Sequence, residues 1–312
     1  MEPGLLKSAD WPLLIDLYFF LGGVAGGAFL IATVANLLDG RRYHDVVRVG
    51  YYVAFFAILP APILLIVDLG LPTRFLHMFM VPKTSTAIGM WAVTLGPFHL
   101  KLLSPMNAGA WALLGFSLFA FLAALDVFLE DRGGRSMVGL RTWAGIIGSF
   151  FGFFVAAYPG VLLGATARPL FISGHWLGAF FLAVGASTGA AAIALILALL
   201  RGGADGSLAR LLRFTGFALV IQAVFLVVFI ISVMAAGSAG VRTALGHLIA
   251  MPFGPVFWLG VVGLGIVIPL LMRLRSSVRP TAGLAAVFAV LVLIGGFLAK
   301  YAIIAAGQKL GS

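Results

Sequence analysis

The sequence predicts an all-α fold, a single polytopic membrane domain over 1–312, and three observations carry that expectation. Of the 312 residues, 62% are apolar and 10% are charged, whereas an average soluble domain is about half apolar and about a quarter charged. Apolar runs of roughly 18 residues or more, the length that crosses a hydrocarbon core of roughly 30 Å, recur along the whole chain and leave no room for a separate soluble domain. The 20 Lys and Arg give a net charge of +10, yet they fall in short patches between those runs rather than along one face. Their expected partners are lipid headgroups, not nucleic acid.

Runs bounded by charges, Gly or Pro place helices over 12–37, 46–68, 106–129, 138–160, 173–199, 209–235, 252–272 and 281–304. The first is expected to remain as a span. Acidic Glu2 and Asp10 flank the one lysine before it, Lys7, and the run is too long for the core of a cleavable signal. Between the second and third helices lies a long connection, 69–105. Within it, 86–101 is short and interrupted by Gly89, Gly96 and Pro97, so it reads as an interfacial or re-entrant segment.

Eight spans put both termini on one side. Arg41, Arg42 and Arg48, then Arg132, Arg135 and Arg141, then Arg201, Arg210 and Arg213, then Arg273, Arg275 and Arg279 cluster at one face. The other face receives Lys7, Arg74, Lys83, Lys101, Arg168, Arg242, Lys300 and Lys309 over longer connections and both tails. The positive-inside rule makes the first face cytoplasmic, in a cell inner membrane, with both termini external.

Helix one contains Gly22, Gly23, Gly26 and Gly27, two overlapping small-xxx-small pairs that let a neighbouring backbone approach. Gln222 in helix six reads as polar glue between helices. Ionisable groups are poorly tolerated in lipid, so Asp16, Asp68, Asp126, Arg168, His175 and Lys300 form a short list of functional candidates. Asp126 and Lys300 are expected near an interface where they reach water, the lysine by snorkelling. Asp16 lies one turn into helix one with no basic residue within a turn of it, which calls for a solvated pocket or a bound partner. The sequence has no Cys, so it offers no thiolates for an iron–sulfur cluster or a zinc site. His44, His77, His99, His175 and His247 lie in connections or near helix starts, and none opposes another at mid-membrane depth as bis-histidine haem requires. Any electron carrier must then be a bound small molecule or another subunit.

Six segments resemble the NrfD and polysulfide reductase membrane-subunit family: LYFFLGGVAGGAFL from Leu17, DLGLPTRFLH from Asp68, SPMNAGAW from Ser104, AYPGVLLGATARPLF from Ala157, LAVGASTGAA from Leu182 and GGFLAKYAIIAAGQ from Gly295. They follow in register with the helix pattern and cover nearly the whole chain. The resemblance implies an eight-helix subunit without haem that exchanges electrons and protons between a quinone or menaquinone pool and a ferredoxin-like iron–sulfur subunit. That subunit would in turn serve a catalytic, molybdopterin-bearing chain. The sequence departs from the family by an insertion after RFLH. It also has Ile15 and Tyr18 where the polysulfide-reducing branch carries an Asn and a His.

On that implication, helices one to four form a bundle around a quinone head. Asp16 and Tyr18 in helix one, Asp68 closing helix two and Tyr158 closing helix four converge on the external leaflet, and Arg74 and His77 sit in the loop above. A tyrosine packs its ring against an apolar slot while its hydroxyl donates a hydrogen bond, and a loop imidazole exchanges protons with water. The competing reading makes both tyrosines part of the aromatic belt at the interface. At the level of function, the alternative is an ion-coupled secondary transporter, which Gly-interrupted helices and a buried Asp also suit.

Overall fold

Among the described residues, eight helices long and apolar enough to cross a membrane run Leu13–Asp39, His44–Asp68, Pro105–Asp131, Val138–Gly164, Leu177–Leu200, Gly206–Ala235, Val256–Leu274 and Ala282–Gln308, here called spans one to eight. The computed structural model describes residues 11–82, 92–95, 98–101, 104–134, 136–201, 206–275 and 281–309. Lys7, Lys83, Arg135 and Arg279, assigned to faces above, and residues 86–91 and 96–97 of the ambiguous stretch lie outside the described residues.

Each predicted helix is present, with ends that lie within about a turn of the expected bounds. Span two is interrupted at Leu59, where Pro60 opens a second segment and brings no N–H to continue the ladder. Span seven is wound as a wider π-helix over Val256–Val267 before returning to α-geometry. The sequence did not indicate the helix Ala239–Ile249 between spans six and seven. Ser238 caps it by accepting the Val241 N–H at 3.3 Å. Val241, Ala244, Leu245 and Leu248 are buried along one side, the spacing of an amphipathic helix lying on a surface.

The described part of 86–101 is sheet. Strands β1 Val81–Pro82, β2 Ala92–Leu95 and β3 Phe98–Lys101 pair antiparallel in the order β1-β3-β2. Four-residue strands fall far short of the roughly 9 to 11 residues that cross a bilayer. The spans therefore alternate direction without an extra crossing, and both chain ends meet at one face. There the Trp11 N–H donates to Gln308 Oε1 at 2.6 Å and Gln308 Nε2 donates to the Trp11 carbonyl at 3.2 Å.

The spans form two rings of four. Span one packs on two and four, and three closes the first ring on two and four; five packs on six and eight, and seven closes the second. The rings meet chiefly along spans one and five, with four on five and one on eight. Lipid supplies no hydrophobic drive between helices, so close backbone contact must hold them. Gly26 lies against Gly152 of span four, and Gly27 against the Gly185 backbone of span five, where an added Cβ would come within 2.7 Å of the Gly185 carbonyl carbon. Gln222 is the polar glue expected of it, accepting the Ser187 hydroxyl at 2.6 Å between spans five and six. Gly27→Ala should force spans one and five apart and cost about 1 to 3 kcal/mol, read as a lower unfolding temperature of the purified protein in detergent. An unchanged transition would mean that this seam does not hold the two rings together.

The face opposite the termini is basic, as the sequence indicated. Arg48 pairs with Asp131 at 2.8 Å, Tyr52 donates to the same carboxylate, and Arg141 pairs with Glu130 at 2.5 Å. Asp126 belongs to this network, which corrects its expected contact with water. It is 1% exposed, accepts the Met137 N–H at 2.6 Å and the Ser136 hydroxyl at 3.3 Å, and lies 3.5 Å from Arg141. The carboxylate fastens the connection between spans three and four.

Candidate functional site

At the face shared by the termini, spans one and four bring two tyrosines together. Tyr18 is 5% exposed and Tyr158 is 6% exposed, so neither is a belt residue reaching for headgroups. Tyr158 stacks on Phe154 with ring centroids 5.6 Å apart. On its other side it fills the space over Gly109 of span three, where a Cβ would fall 2.7 Å from Cε1 of the ring. Tyr18 packs on Phe19 at 5.2 Å, and the two phenols are electrostatic neighbours. Neither hydroxyl has a hydrogen-bond partner among the described residues. A buried phenol normally finds a partner, so these two donors are free to bind a ligand oxygen.

Asp16 is also buried, 3% exposed, and its Oδ1 has no hydrogen-bond partner among the described residues. Helical geometry separates it from Tyr18, because residues two apart point to different sides. Tyr18 shares a side with Gly22 and Gly26, which face Val155 and Gly152 of span four. Asp16 shares a side with Gly23, which faces Lys300 of span eight and Gly185 of span five. The expected Asp16 and Tyr18 pair is thus one residue toward each ring.

Lys300 is the group the sequence reading misplaced. It does not snorkel. It is 0% exposed, its Nζ donates to the Phe19 carbonyl at 2.5 Å, and it lies 5.2 Å from the centre of the Phe181 ring. No carboxylate lies within ion-pair distance of it among the described residues. The expected helix end at 304 put Lys300 about one turn from water, but the helix runs on to Gln308, eight residues or about 12 Å beyond it and out of a lysine's reach.

The loop above the tyrosines is tied down by a residue that sequence reasoning did not single out. Asn107, in the first turn of span three, donates to the Met78 carbonyl at 2.8 Å and to the Phe79 carbonyl at 2.6 Å. Phe79 meets Trp111 edge-on at 5.4 Å. These contacts clasp the short 3-10 helix Pro72–Met78, which carries Arg74 and His77. Both side chains are exposed, and Asp68, at the end of span two, is half-buried. The structure therefore gathers Tyr18 and Tyr158, puts Asp16 beside them on the next face, and leaves Asp68, Arg74 and His77 at the rim. Arg168 serves the scaffold. It is buried and donates to the carbonyls of Gly307 and Gln308, closing the C-terminal end of span eight.

Eight apolar spans among the described residues, packed in two rings, define a polytopic membrane protein. A family model described as "Polysulphide reductase, NrfD" matches residues 2–310, and the protein belongs to that family. It is 25% identical to the C component of polysulfide reductase from Wolinella succinogenes over 307 residues, 96% of this sequence and 93% of that one. It is 28% identical to protein NrfD of Escherichia coli over 320 aligned residues, 96% of this sequence and 94% of the other. The C component of selenate reductase from Mesobacillus selenatarsenatis is similar over a shorter stretch, 26% identical over 110 residues, 35% of this sequence and 25% of that protein.

Proposed function

We propose that this protein, a membrane subunit of an oxidoreductase complex, exchanges electrons and protons between a quinone or menaquinone pool and a ferredoxin-like iron–sulfur subunit, which passes electrons to or from a catalytic partner, a molybdopterin enzyme. The observation that carries the reading is the pair of buried phenols, Tyr18 and Tyr158, with no partner for either hydroxyl among the described residues. A quinone head offers two carbonyl oxygens and no donor, and two O–H groups in an apolar slot match it. The names of the relatives, components of polysulfide and selenate reductases, point to the same kind of complex.

In this reading the ring of spans one to four holds the head. Oxidation of a quinol releases two electrons and two protons. The electrons leave to the partner's cluster, which docks on the face that carries 69–105, since tunnelling requires a short gap. The protons pass to Asp16, whose Oδ1 is unpartnered, and reach water at His77. Asp68 and Arg74 shape the rim. Reduction runs the same path backwards. An ion-coupled transporter would also use Asp16, but it would have no need of the Tyr158 hydroxyl.

The test is to purify the protein with its partners, extract bound quinone, and follow cluster reduction by a quinol analogue. A preparation without an iron–sulfur subunit and without quinol-linked electron transfer removes the proposal. Orientation is checked separately, and the cysteine-free sequence makes this direct. Thr73→Cys, exposed beside the proposed site, is expected to react with an impermeant maleimide from outside the cell, and Arg132→Cys only after the membrane is opened. The reverse pattern would place the quinone head and its partner at the cytoplasmic face.

A further inference from the structure

A second ligand site lies at the other end of the molecule. A cleft of about 510 Å³ opens between the two rings at the basic face. Its apolar wall follows span one from Gly27 to Leu38, with Phe153 of span four and Phe214 of span six at its sides. Val34, Leu38, Phe153 and Phe214 are exposed in the isolated protein, so the cleft faces the bilayer rather than the protein interior. From Gly27 to Leu38 is about 16 Å at 1.5 Å per residue, close to half of a hydrocarbon core of roughly 30 Å. The cleft is one leaflet deep.

Its mouth is polar and cationic. Tyr43, Ser207 and Arg210 line it. The Arg210 guanidinium lies 5.0 Å from the centre of the Tyr43 ring, and that of Arg42 lies 5.9 Å from the same centre. Arg210 Nε is buried and has no acceptor among the described residues, and the hydrogen-bond contact of its guanidinium there is a long one, 3.5 Å to Ser207 Oγ. Asp39, one residue beyond the lining Leu38, accepts the Arg42 backbone N–H at 3.1 Å. Arg210 forms no ion pair among the described residues.

We propose that this cleft binds an anionic phospholipid of the leaflet at the basic face, one acyl chain lying along span one and the phosphate held by Arg210, Ser207 and Arg42. A guanidinium fork matches two phosphate oxygens, and basic pockets between helices at the membrane surface attract such headgroups. A quinone suits the mouth poorly, because its head carries no charge to set against two guanidinium groups. The lipid would fill the seam between the rings at the leaflet opposite the tyrosines, so it bears on assembly and not on the quinone reading.

The test is lipid retention by the purified complex, measured by native mass spectrometry after delipidation and readdition of phosphatidylglycerol or phosphatidylcholine. Wild type is expected to hold phosphatidylglycerol in preference to phosphatidylcholine. Arg210→Gln should weaken it about fivefold and Arg42→Gln by a similar factor, while Arg213→Gln, exposed at the same face and outside the cleft, should not. Val34→Trp keeps every charge and fills the apolar wall, and it should also release the lipid. Equal retention of both lipids by wild type, full retention after both Arg210→Gln and Val34→Trp, or recovery of quinone in place of phospholipid would each overturn the assignment.

Discussion

Tyr158→Phe is expected to lower quinol-linked turnover severalfold while the complex stays assembled. The substitution keeps the ring that stacks on Phe154 and covers Gly109, so packing is conserved and one donor is lost. A hydrogen bond to a ligand oxygen contributes about 0.5 to 1.5 kcal/mol, roughly a twofold to tenfold change, and more if the hydroxyl relays a proton. Asp16→Asn removes a titrating carboxylate without changing its shape. Loss of a positioned proton acceptor costs about 10² to 10⁴ in rate, so this variant should be the slower of the two. A carboxylate that accepts protons stops doing so as pH falls through its pKa. Wild-type turnover should therefore decline on the acid side, and the residual turnover of Asp16→Asn should lack that decline. His77→Ala should act in the same direction but weakly, since water replaces an exposed loop imidazole. Tyr301→Phe is the control. Its ring stacks on Phe297 in span eight, away from spans one to four, and turnover should stay near wild type. Full turnover in both Tyr158→Phe and Asp16→Asn would move the pocket elsewhere in the molecule.

What could be read in the sequence follows the strength of each physical signal. An apolar run long enough to span a bilayer is nearly self-declaring, so all eight spans were visible. The helix Ala239–Ile249 was not, because eleven residues with Arg242 and His247 among them look like an ordinary connection until Val241, Ala244, Leu245 and Leu248 are seen to share a buried side. Depth along a helix could be counted, and it put Tyr18 and Tyr158 in one leaflet. Azimuth was harder. Nothing in the sequence states which side of span one meets which neighbour, so Asp16 and Tyr18 were expected as a pair although one faces the second ring. The glycines held that information in part: Gly22 and Gly26 mark the side toward span four, Gly23 and Gly27 the side toward spans five and eight. Asn107 escaped notice because an amide one turn into a span reads as a tolerated polar residue, and its role depends on carbonyls nearly thirty positions earlier.

Lys300→Met should leave the fold intact and reduce quinol-linked turnover at least as much as Tyr158→Phe does. A wholly buried ammonium without a carboxylate partner contributes little to stability, because its desolvation cost is set against one hydrogen bond to the Phe19 carbonyl and a ring contact with Phe181. Methionine has nearly the same length, fills the same space between spans one, five and eight, and carries no charge to desolvate, so thermal unfolding should shift little in either direction. Lys300→Ala is the contrasting variant: it opens a cavity beside Gly23, and truncating a buried side chain of this size costs about 2 to 5 kcal/mol. The functional expectation rests on position. Lys300 touches the same side of span one as Asp16, at Gly23, about 10 Å along the axis, and the Oδ1 of Asp16 has no hydrogen-bond partner among the described residues. Two buried titratable groups that do not pair with each other can hand a proton along span one, and a lysine whose ammonium is in contact with a backbone carbonyl can hold that proton between turnovers. The Met variant separates this role from a structural one. If it unfolds at the wild-type temperature and still oxidises quinol at the wild-type rate, Lys300 takes no part in the reaction, and the proton path must run from the tyrosines to the loop face alone.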